Sequence, residues 1–411
     1  MRVFADQLHR NNVSAPTRGP HTLKPRDPHP DVKDADNYLR KMKNIRDASQ
    51  ILYKALNGLW TCSEHNQHAA NLRLSHGHES AACDESDKIR FQVAVVFDDG
   101  ESAAPSNAPL TLFIETQTGE ADEEHGRICP RTPSVRFAEA EPSLSSLPGP
   151  SPLATFALEG NSCREIRTRL ARPESENCVG QSQDRRFQSQ LSCSLLPCLG
   201  AIDNAINLSK WVAKQPVYSK VRIGEKLRIA SALAVAVLQY YDTPWLPLEW
   251  KGSDILMMES KGTDAEAFQR SPHLQVLRGA RQPTPKVQPV HHHRGVKSPT
   301  LFCLGLILLE LELEESVGDW LEKSAPSSCS EASEETFWEK VDGLKRGAGA
   351  RLGPRYRRIV EQCLDKECLF AGNMQDHSLD NRAVRHNYYI EVINGLRRMS
   401  LLNADAERLA F

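Results

Sequence analysis

The alternation of apolar and polar positions divides the chain into a helical start, a strand-rich middle and a helical second half. From Ala35 to Trp60, Leu39, Met42, Ile45, Leu52, Leu56 and Leu59 recur at helical spacing. The polar side of this stretch has no basic excess, so the stripe predicts a helix packed on a core rather than one lying on a membrane surface. Ahead of it, residues 1–35 are rich in Pro, His, Asn and Asp with little apolar content, and they read as disordered. Strand signals follow in NLRLS (71–75), FQVAVVF (91–97), LTLFIET (110–116) and SVRFAE (134–139). Polar insertions rich in Pro, Ser and Glu separate them near 99–108, 117–133 and 140–155, which predicts a small antiparallel sheet with long variable loops. Residues 163–171 suit a short helix, and 186–198 one or two further strands.

The second half changes period. Residues 207–214, NLSKWVAK, start with a potential N-cap. The run GEKLRIASALAVAVLQYYDTP then sets Ile229, Ala232, Leu233, Ala236, Val237 and Tyr240 on one helical face, ended by Pro244. Residues 261–298 are polar and hold four prolines between Pro272 and Pro289, which predicts a long loop. Residues 300–313 are almost wholly apolar, as in a helix buried all round. A Ser/Glu-rich linker is expected over 322–335. PRYRRIVEQCLD (354–365) places Pro at a helix start, with Tyr356, Ile359, Val360 and Cys363 on one face. A last helix near 381–400 aligns His386, Ile390, Ile393 and Leu396.

Composition narrows the function classes. The 411 residues admit one large two-lobed domain or a few smaller ones, at roughly 100–200 residues each. A formal net charge of -2 leaves no footprint for nucleic acid or an anionic membrane. The start, MRVFADQLHRNN, has no apolar run after Arg2 and does not read as a secretory signal. The longest apolar stretch, LFCLGLILLEL (301–311), is too short for a membrane span, which takes about 20 residues. Eleven cysteines, an odd number, point to reduced thiols in the cytosol or nucleus, and a cytoplasmic location is expected.

The order of small sheet, short helix, amphipathic helix, polar loop, long loop and buried helix resembles that of a protein kinase. Cys303, Gly305 and Glu310 fall where the buried kinase helix under the catalytic loop carries S-x-G-V-x-x-x-E-L, and EQCLDKE (361–367) resembles a kinase helix near the end of the domain. The resemblance implies an α+β, degenerate protein-kinase-like two-lobed fold: a small antiparallel sheet, a mainly helical C-lobe and long disordered loops. Its expected organisation is a disordered segment over 1–35, a helix over 36–60, a β-rich N-lobe-like region with disordered insertions over 61–205 and a helical kinase-like C-lobe over 206–402.

The runs TPWLPLEW…SDILMM, SPTLFCLGLILLELELEES and GPRYRRIVEQCLD resemble an uncharacterised C-terminal domain family of filamentous fungi. LWTCSEHNQHAANLRL (59–74) is similar to that family's W-x-C-x-C-x-x-x-H-x-A-x-L-x-L pattern through Trp60, Cys62, His68, Ala70, Leu72 and Leu74, with Glu64 in place of the second Cys. The likeness runs from about 36 to 400 and implies a shortened member or a truncated gene model, since most of the family's helical N-terminal region is not found. It also implies an intracellular protein near incompatibility or cell-death signalling.

Kinase chemistry needs a Gly-rich loop over the phosphates, a strand Lys paired with a helix Glu, a catalytic Asp, and an Asn and a D-F-G Asp on Mg²⁺. No G-x-G-x-x-G occurs in the first half, and VAVVFDD (93–99) has no Lys. In LPLEWKGSDILMM (246–258), Glu249 takes the place of the catalytic Asp, Lys251 the loop Lys, Asp254 the Asn, and Pro247 and Leu248 the His-Arg pair. Asp264 is the nearest stand-in for D-F-G and lacks both Phe and Gly. Trp245 and Trp250 beside this loop suit packing anchors.

Other clusters weigh less. Cys62, His65, His68 and Cys83 lack zinc spacing. The C-x₄-C pairs Cys193/Cys198 and Cys363/Cys368 have no nearby His pair and read as reduced thiols. HHHRGVK (291–297) reads as a solvated tip, with weak metal binding or pH sensing as the alternative. KVDGLKRGAGARLGPRYRR (340–358) reads as a solvated basic loop leading into a helix, or as a contact for a phosphate or an acidic partner.

The expected function is therefore non-enzymatic: a pseudokinase-like interaction or regulatory module that captures a protein partner. It has no catalytic residue, cofactor or metal, binds no nucleic acid and spans no membrane. The alternative is an atypical nucleotide-binding phosphotransferase using Glu249, Lys251 and Asp254.

Overall fold

The computed structural model describes residues 30–59, 67–74, 88–98, 110–118, 178–184, 187–193, 205–213, 223–258, 271–279, 295–317, 331–372 and 375–409. Helix α1 (Pro30–Leu59) starts earlier than the apolar stripe alone suggests. Pro at the first position has a backbone angle already set for helix. Leu39, Met42, Leu52 and Leu56 are buried, and Ile45 is half-buried.

Eight strands form one sheet: β1 (Gln67–Arg73), β2 (Lys88–Asp98), β3 (Leu110–Thr118), β4 (Cys178–Asp184), β5 (Phe187–Cys193), β6 (Ile206–Asn207), β7 (Ile255–Met258) and β8 (Ser271–Gly279). Their order is β4-β5-β3-β2-β1-β8-β7-β6, and each pairing is antiparallel. Across the centre, Leu72 lies between Val93 and Leu274, and Ala70 between Val95 and Val276. That apolar row joins the core. Cross-strand apolar pairs of this kind stabilise a sheet more than any single strand's propensity.

Two strands lie where the sequence suggests loops. Residues 261–298 contain β8, which pairs with β1 on one side and β7 on the other. Pro272 is accommodated because it sits at the second position of the strand and takes part through its carbonyl, which accepts the Leu74 N–H at 2.9 Å. The stretch ILMM at the end of the polar loop is β7. The sheet thus runs through the boundary expected at 205/206, since β6, β7 and β8 belong to it. The strand expected over 134–139 and the helix over 163–171 lie outside the described residues. Strand β5 falls within 186–198, where one or two strands were expected, and its hairpin partner β4 precedes that range.

The helices cover the sheet. In α2 (Leu208–Ala213), Asn207 Oδ1 accepts the Lys210 N–H at 2.8 Å, the expected N-cap. Helix α3 (Ile223–Tyr240) is buried on all sides from Ala232 to Tyr240, not on one face. Its neighbours explain why: α1, α4 (Pro299–Leu313) and α8 (Asn394–Leu409) each pack along it, and β8 approaches as well. Helix α4 is buried nearly all round, as its composition predicts.

Helix α5 (Glu331–Gly347) replaces the end of the expected linker and the first part of the expected basic loop, residues 340–347. Its warrant is the stripe Phe337, Val341, Leu344 and Ala348, with Val341 and Ala348 buried and Phe337 and Leu344 packed on the core. Helix α6 (Pro354–Cys363) buries the four residues named for it. Gly305 of α4 lets it close in, because a Cβ there would stand 2.7 Å from the Leu364 side chain. Helix α7 (Arg382–Tyr388) runs through a π-helical turn, Tyr389–Ile393, into α8. The wider turn moves the expected face: Ile393 and Leu396 are buried, Ile390 is exposed, and Tyr388, Tyr389 and Val392 enter the core.

Candidate functional site

The loop from Tyr241 to Asp254 is pinned at both ends by tryptophan. Thr243 Oγ1 donates to Tyr240 O at 2.6 Å, closing the end of α3 ahead of Pro244. Trp245 Nε1 donates to Ser49 O of α1 at 2.9 Å, and its ring meets Tyr53 edge-on at 5.8 Å. Trp250 Nε1 donates to Thr300 O at the start of α4, at 3.1 Å. Both rings are fully buried, as expected of packing anchors.

Between Trp250 and β7 the chain makes one 3₁₀ turn, Gly252–Asp254. Lys251 N–H donates to Asp254 Oδ2 at 2.9 Å, and Asp254 N–H donates to Lys251 O at 2.9 Å. The turn is closed reciprocally, and one carboxylate oxygen is engaged in closing it. Asp254 as a residue is exposed. Protein packed around its carboxyl nevertheless pushes it above the ordinary range, against the pull of the Lys251 N–H and the Lys251 charge.

Beneath the turn, Gly252 is buried against α2 and α4. A Cβ there would overlap Glu310 Oε2 and Ser209 Oγ. Ser209 Oγ donates to Glu310 Oε2 at 2.9 Å, and the Val317 N–H donates to Glu310 Oε1 at 3.1 Å. Glu310 is thus a buried acceptor that ties α2 and the end of α4 together under the loop. Cys303 lies on the same side of α4. Burial pushes its thiol up to about 12, Glu249 and then Asp254 add to the push, and the Trp250 N–H and Lys251 oppose it. Glu249, Lys251 and Asp254 therefore share one neighbourhood around a thiol that stays protonated.

The acidic end of α4 explains the basic stretch that follows α5. Glu312 is buried and accepts N–H bonds from Gly349 at 2.8 Å, Arg351 at 3.1 Å and Leu352 at 3.4 Å. Gly349 has φ +81°, the conformation that lets successive N–H groups converge on an anion. The anion this glycine-rich turn receives is the chain's own Glu312. Glu314 follows, with Lys226 Nζ at 2.9 Å on one oxygen and Arg351 Nη1 at 2.8 Å on the other. Partial burial works upward on its carboxyl, but Lys226 and Arg351 together hold it below the usual range. The sequence signal was the alternation LELELEE, which on a wholly buried helix demands partners for each acid.

The remaining candidates disperse. Asp264, Cys62, His65, Cys83, Cys198 and residues 291–294 lie outside the described residues. His68 is buried in β1. Cys193 of β5 stands across from Cys178 in register. Cys363 and Cys368 are free and buried, their thiols pushed up by burial. Among the described residues no group of three or more His, Cys, Asp or Glu is placed to hold a metal ion, and no helix is long and apolar enough to cross a membrane.

The fold is thus a mixed one, an antiparallel sheet covered by helices, with a loop anchored by two buried tryptophans that carries Glu249, Lys251 and Asp254. The chain belongs to the family defined by a domain of unknown function (DUF7580), whose profile matches residues 162–400. No curated protein matches it. Among solved structures it is similar to the crystal structure of Rad53 kinase domain and SCD2, at 10% identity over 78% of this chain and 96% of that one, with a TM-score of 0.28. A likeness of that size carries no argument.

Proposed function

We propose that the chain is a non-catalytic, pseudokinase-like interaction or regulatory module in which the 249–254 loop is scaffold. The observation that carries this is the engagement of Asp254. The carboxylate at the metal-binding position of a kinase-type loop closes its own turn with Lys251 instead, at 2.9 Å. Gly252 pressed on Glu310 and the two anchored tryptophans support the same reading, since they hold the loop as part of the core. The kinase-like, two-lobed plan rests on the order of elements and on Cys303, Gly305 and Glu310. A protein partner, a filamentous-fungal source and a setting in incompatibility or cell-death signalling come from the family resemblance, a cytoplasmic location comes from the cysteine usage, and all belong to the proposal.

One observation favours the second reading, an atypical nucleotide-binding phosphotransferase: the charges of Glu249, Lys251 and Asp254 all bear on the Cys303 thiol. Thermal unfolding with and without Mg-ATP separates the two, on the wild type and on Glu249→Ala and Asp254→Ala. A nucleotide at a hundredfold excess over its Kd stabilises a fold by about 2.7 kcal/mol. The expected result is no shift at millimolar nucleotide. A shift present in the wild type and lost in both variants replaces the scaffold reading with the phosphotransferase.

A further inference from the structure

Helix α8 leaves the core partway along its length. Leu396 is fully buried, and Met399 packs on the core from the same side. Gly395 meets α6, where a Cβ would stand 2.9 Å from Ile359 Cδ1. From Met399 to Ala406 no residue of the helix is buried. Leu401 and Leu402 are 66% and 61% exposed. With about 3.6 residues per turn, both fall on the side of the helix opposite Leu396. Their exposure is thus set by the register of α8 and not by fraying of its end.

Two charged residues complete that face. Arg398, Leu401, Leu402 and Asp405, all exposed, follow at i, i+3, i+4 and i+7. They form one outward stripe about 10 Å long, positive at one end, negative at the other and apolar between. The two charges are too far apart along one helix to pair with each other. The midpoint between Leu401 and Leu402 is also the midpoint between Arg398 and Asp405. A two-fold axis through that point lays the stripe on a copy of itself. Leucine then meets leucine in the middle, and Arg398 meets Asp405 of the second copy at both ends.

The charges choose what covers the leucines. An anionic lipid surface is opposed by Asp405, since a helix that lies on a membrane flanks its apolar face with Lys and Arg. A copy packed parallel would set Arg398 beside Arg398 and Asp405 beside Asp405. A copy packed antiparallel matches each position, the pattern of an isologous interface, in which residue i meets j and j meets i. We propose that the outer face of α8 is the interface of a symmetric homodimer, in which two copies of the chain cross antiparallel through Arg398, Leu401, Leu402 and Asp405. A formal net charge of -2 sets little repulsion between the copies. One helix pair buries less than the ~1,200 Å² of a stable interface, so the dimer forms and parts with concentration. Pairing of this kind goes beyond the interaction-module reading and does not depend on it.

The test is sedimentation velocity of the full chain across the micromolar range. The sedimentation coefficient is expected to rise with concentration as monomer passes into dimer. Leu401→Gln with Leu402→Gln should abolish the rise. Both positions are exposed and glutamine is a good helix former, so the fold should stand, and a circular dichroism melt checks that it does. Arg398→Asp alone and Asp405→Arg alone should each weaken the dimer about tenfold, because each sets like charges together at both ends of the stripe. The decisive sample is an equal mixture of those two single variants. One then carries an acid at each end of its stripe and the other an arginine at each end. They should pair with each other at wild-type strength although neither pairs well with itself. The chain with both changes, Arg398→Asp and Asp405→Arg, should also dimerise like the wild type. A chain that stays monomeric at every concentration, a dimer that survives the leucine changes, or a mixture no stronger than its two components overturns the proposal.

Discussion

His273 ties the sheet to pH. Burial drives its imidazole down to about 4, the Ser271 carbonyl pulls it back, and Arg73 pushes it down further. Nδ1 donates to Ser271 O at 2.9 Å, and burial keeps the ring neutral in the folded chain at neutral pH. Unfolded, it titrates near its ordinary 6.5. Between those two values the unfolded chain binds more protons, so stability rises with pH through the window and is lost as pH falls from 6.5 toward 4. At an upper bound this is worth about 3 kcal/mol. His273→Leu should flatten the pH dependence of the urea midpoint in that window, whatever it does to stability at pH 8. A slope equal to the wild type's would mean that the native ring takes up its proton freely. The same scale shows what single residues disclose. Trp245 and Trp250 are legible as anchors because a large aromatic beside a turn has few other uses. Ser209, Gly252 and Glu310 are not, because they meet across about a hundred residues of chain, and no local pattern records the meeting.

Elements were legible where one period ran unbroken. Helices α1, α3 and α6 follow from apolar spacing, and α4 from its unbroken apolar run. Strands β7 and β8 do not, because a four-residue apolar run suits helix, strand or loop equally until its partner is known, and β1 lies some two hundred residues upstream. Helix α5 was hidden by the Ser/Glu-rich stretch before it and by the glycines after it. The π turn at Tyr389–Ile393 broke a period that was otherwise correct. A π turn is in effect one residue inserted into an α-helix, so the register after it is displaced by one position. Ile390 is exposed within it. Its deletion should therefore convert the segment to regular α-helix while Tyr388 and Leu396 keep their faces. The expected loss is small, within the usual range of about 0.5–3 kcal/mol for a single change. Deleting Leu396 rotates the rest of α8 out of the core and should prevent cooperative unfolding. Circular dichroism melts of the two deletions compare them directly.

The whole molecule does not divide where its family profile begins. Residues 162–400 hold β4 to β8 and the helices from α2 into α8, but α1 and β1–β3 precede them. Those four elements are central. In the sheet order, β3, β2 and β1 stand between β5 and β8, so the matched residues alone would carry two separated pieces of sheet. Strands β5 and β8 would each present an unpaired edge, the condition that favours aggregation. Loss of α1 would uncover the side of α3 it covers and remove the Ser49 carbonyl that receives Trp245. It would also remove Arg46, which pairs with Asp380 at 3.0 Å and lies over the Tyr241 ring at 4.2 Å. A fragment of residues 162–400 should therefore fail to fold cooperatively, whereas one of residues 30–409 should unfold in a single transition. Denaturant titrations followed in parallel by far- and near-ultraviolet circular dichroism test this. Coincident, sigmoidal curves for the short fragment would mean that the helices and β6–β8 form a self-sufficient core. Any partner would then meet a unit to which α1 and the first three strands are an attachment rather than the middle of the sheet.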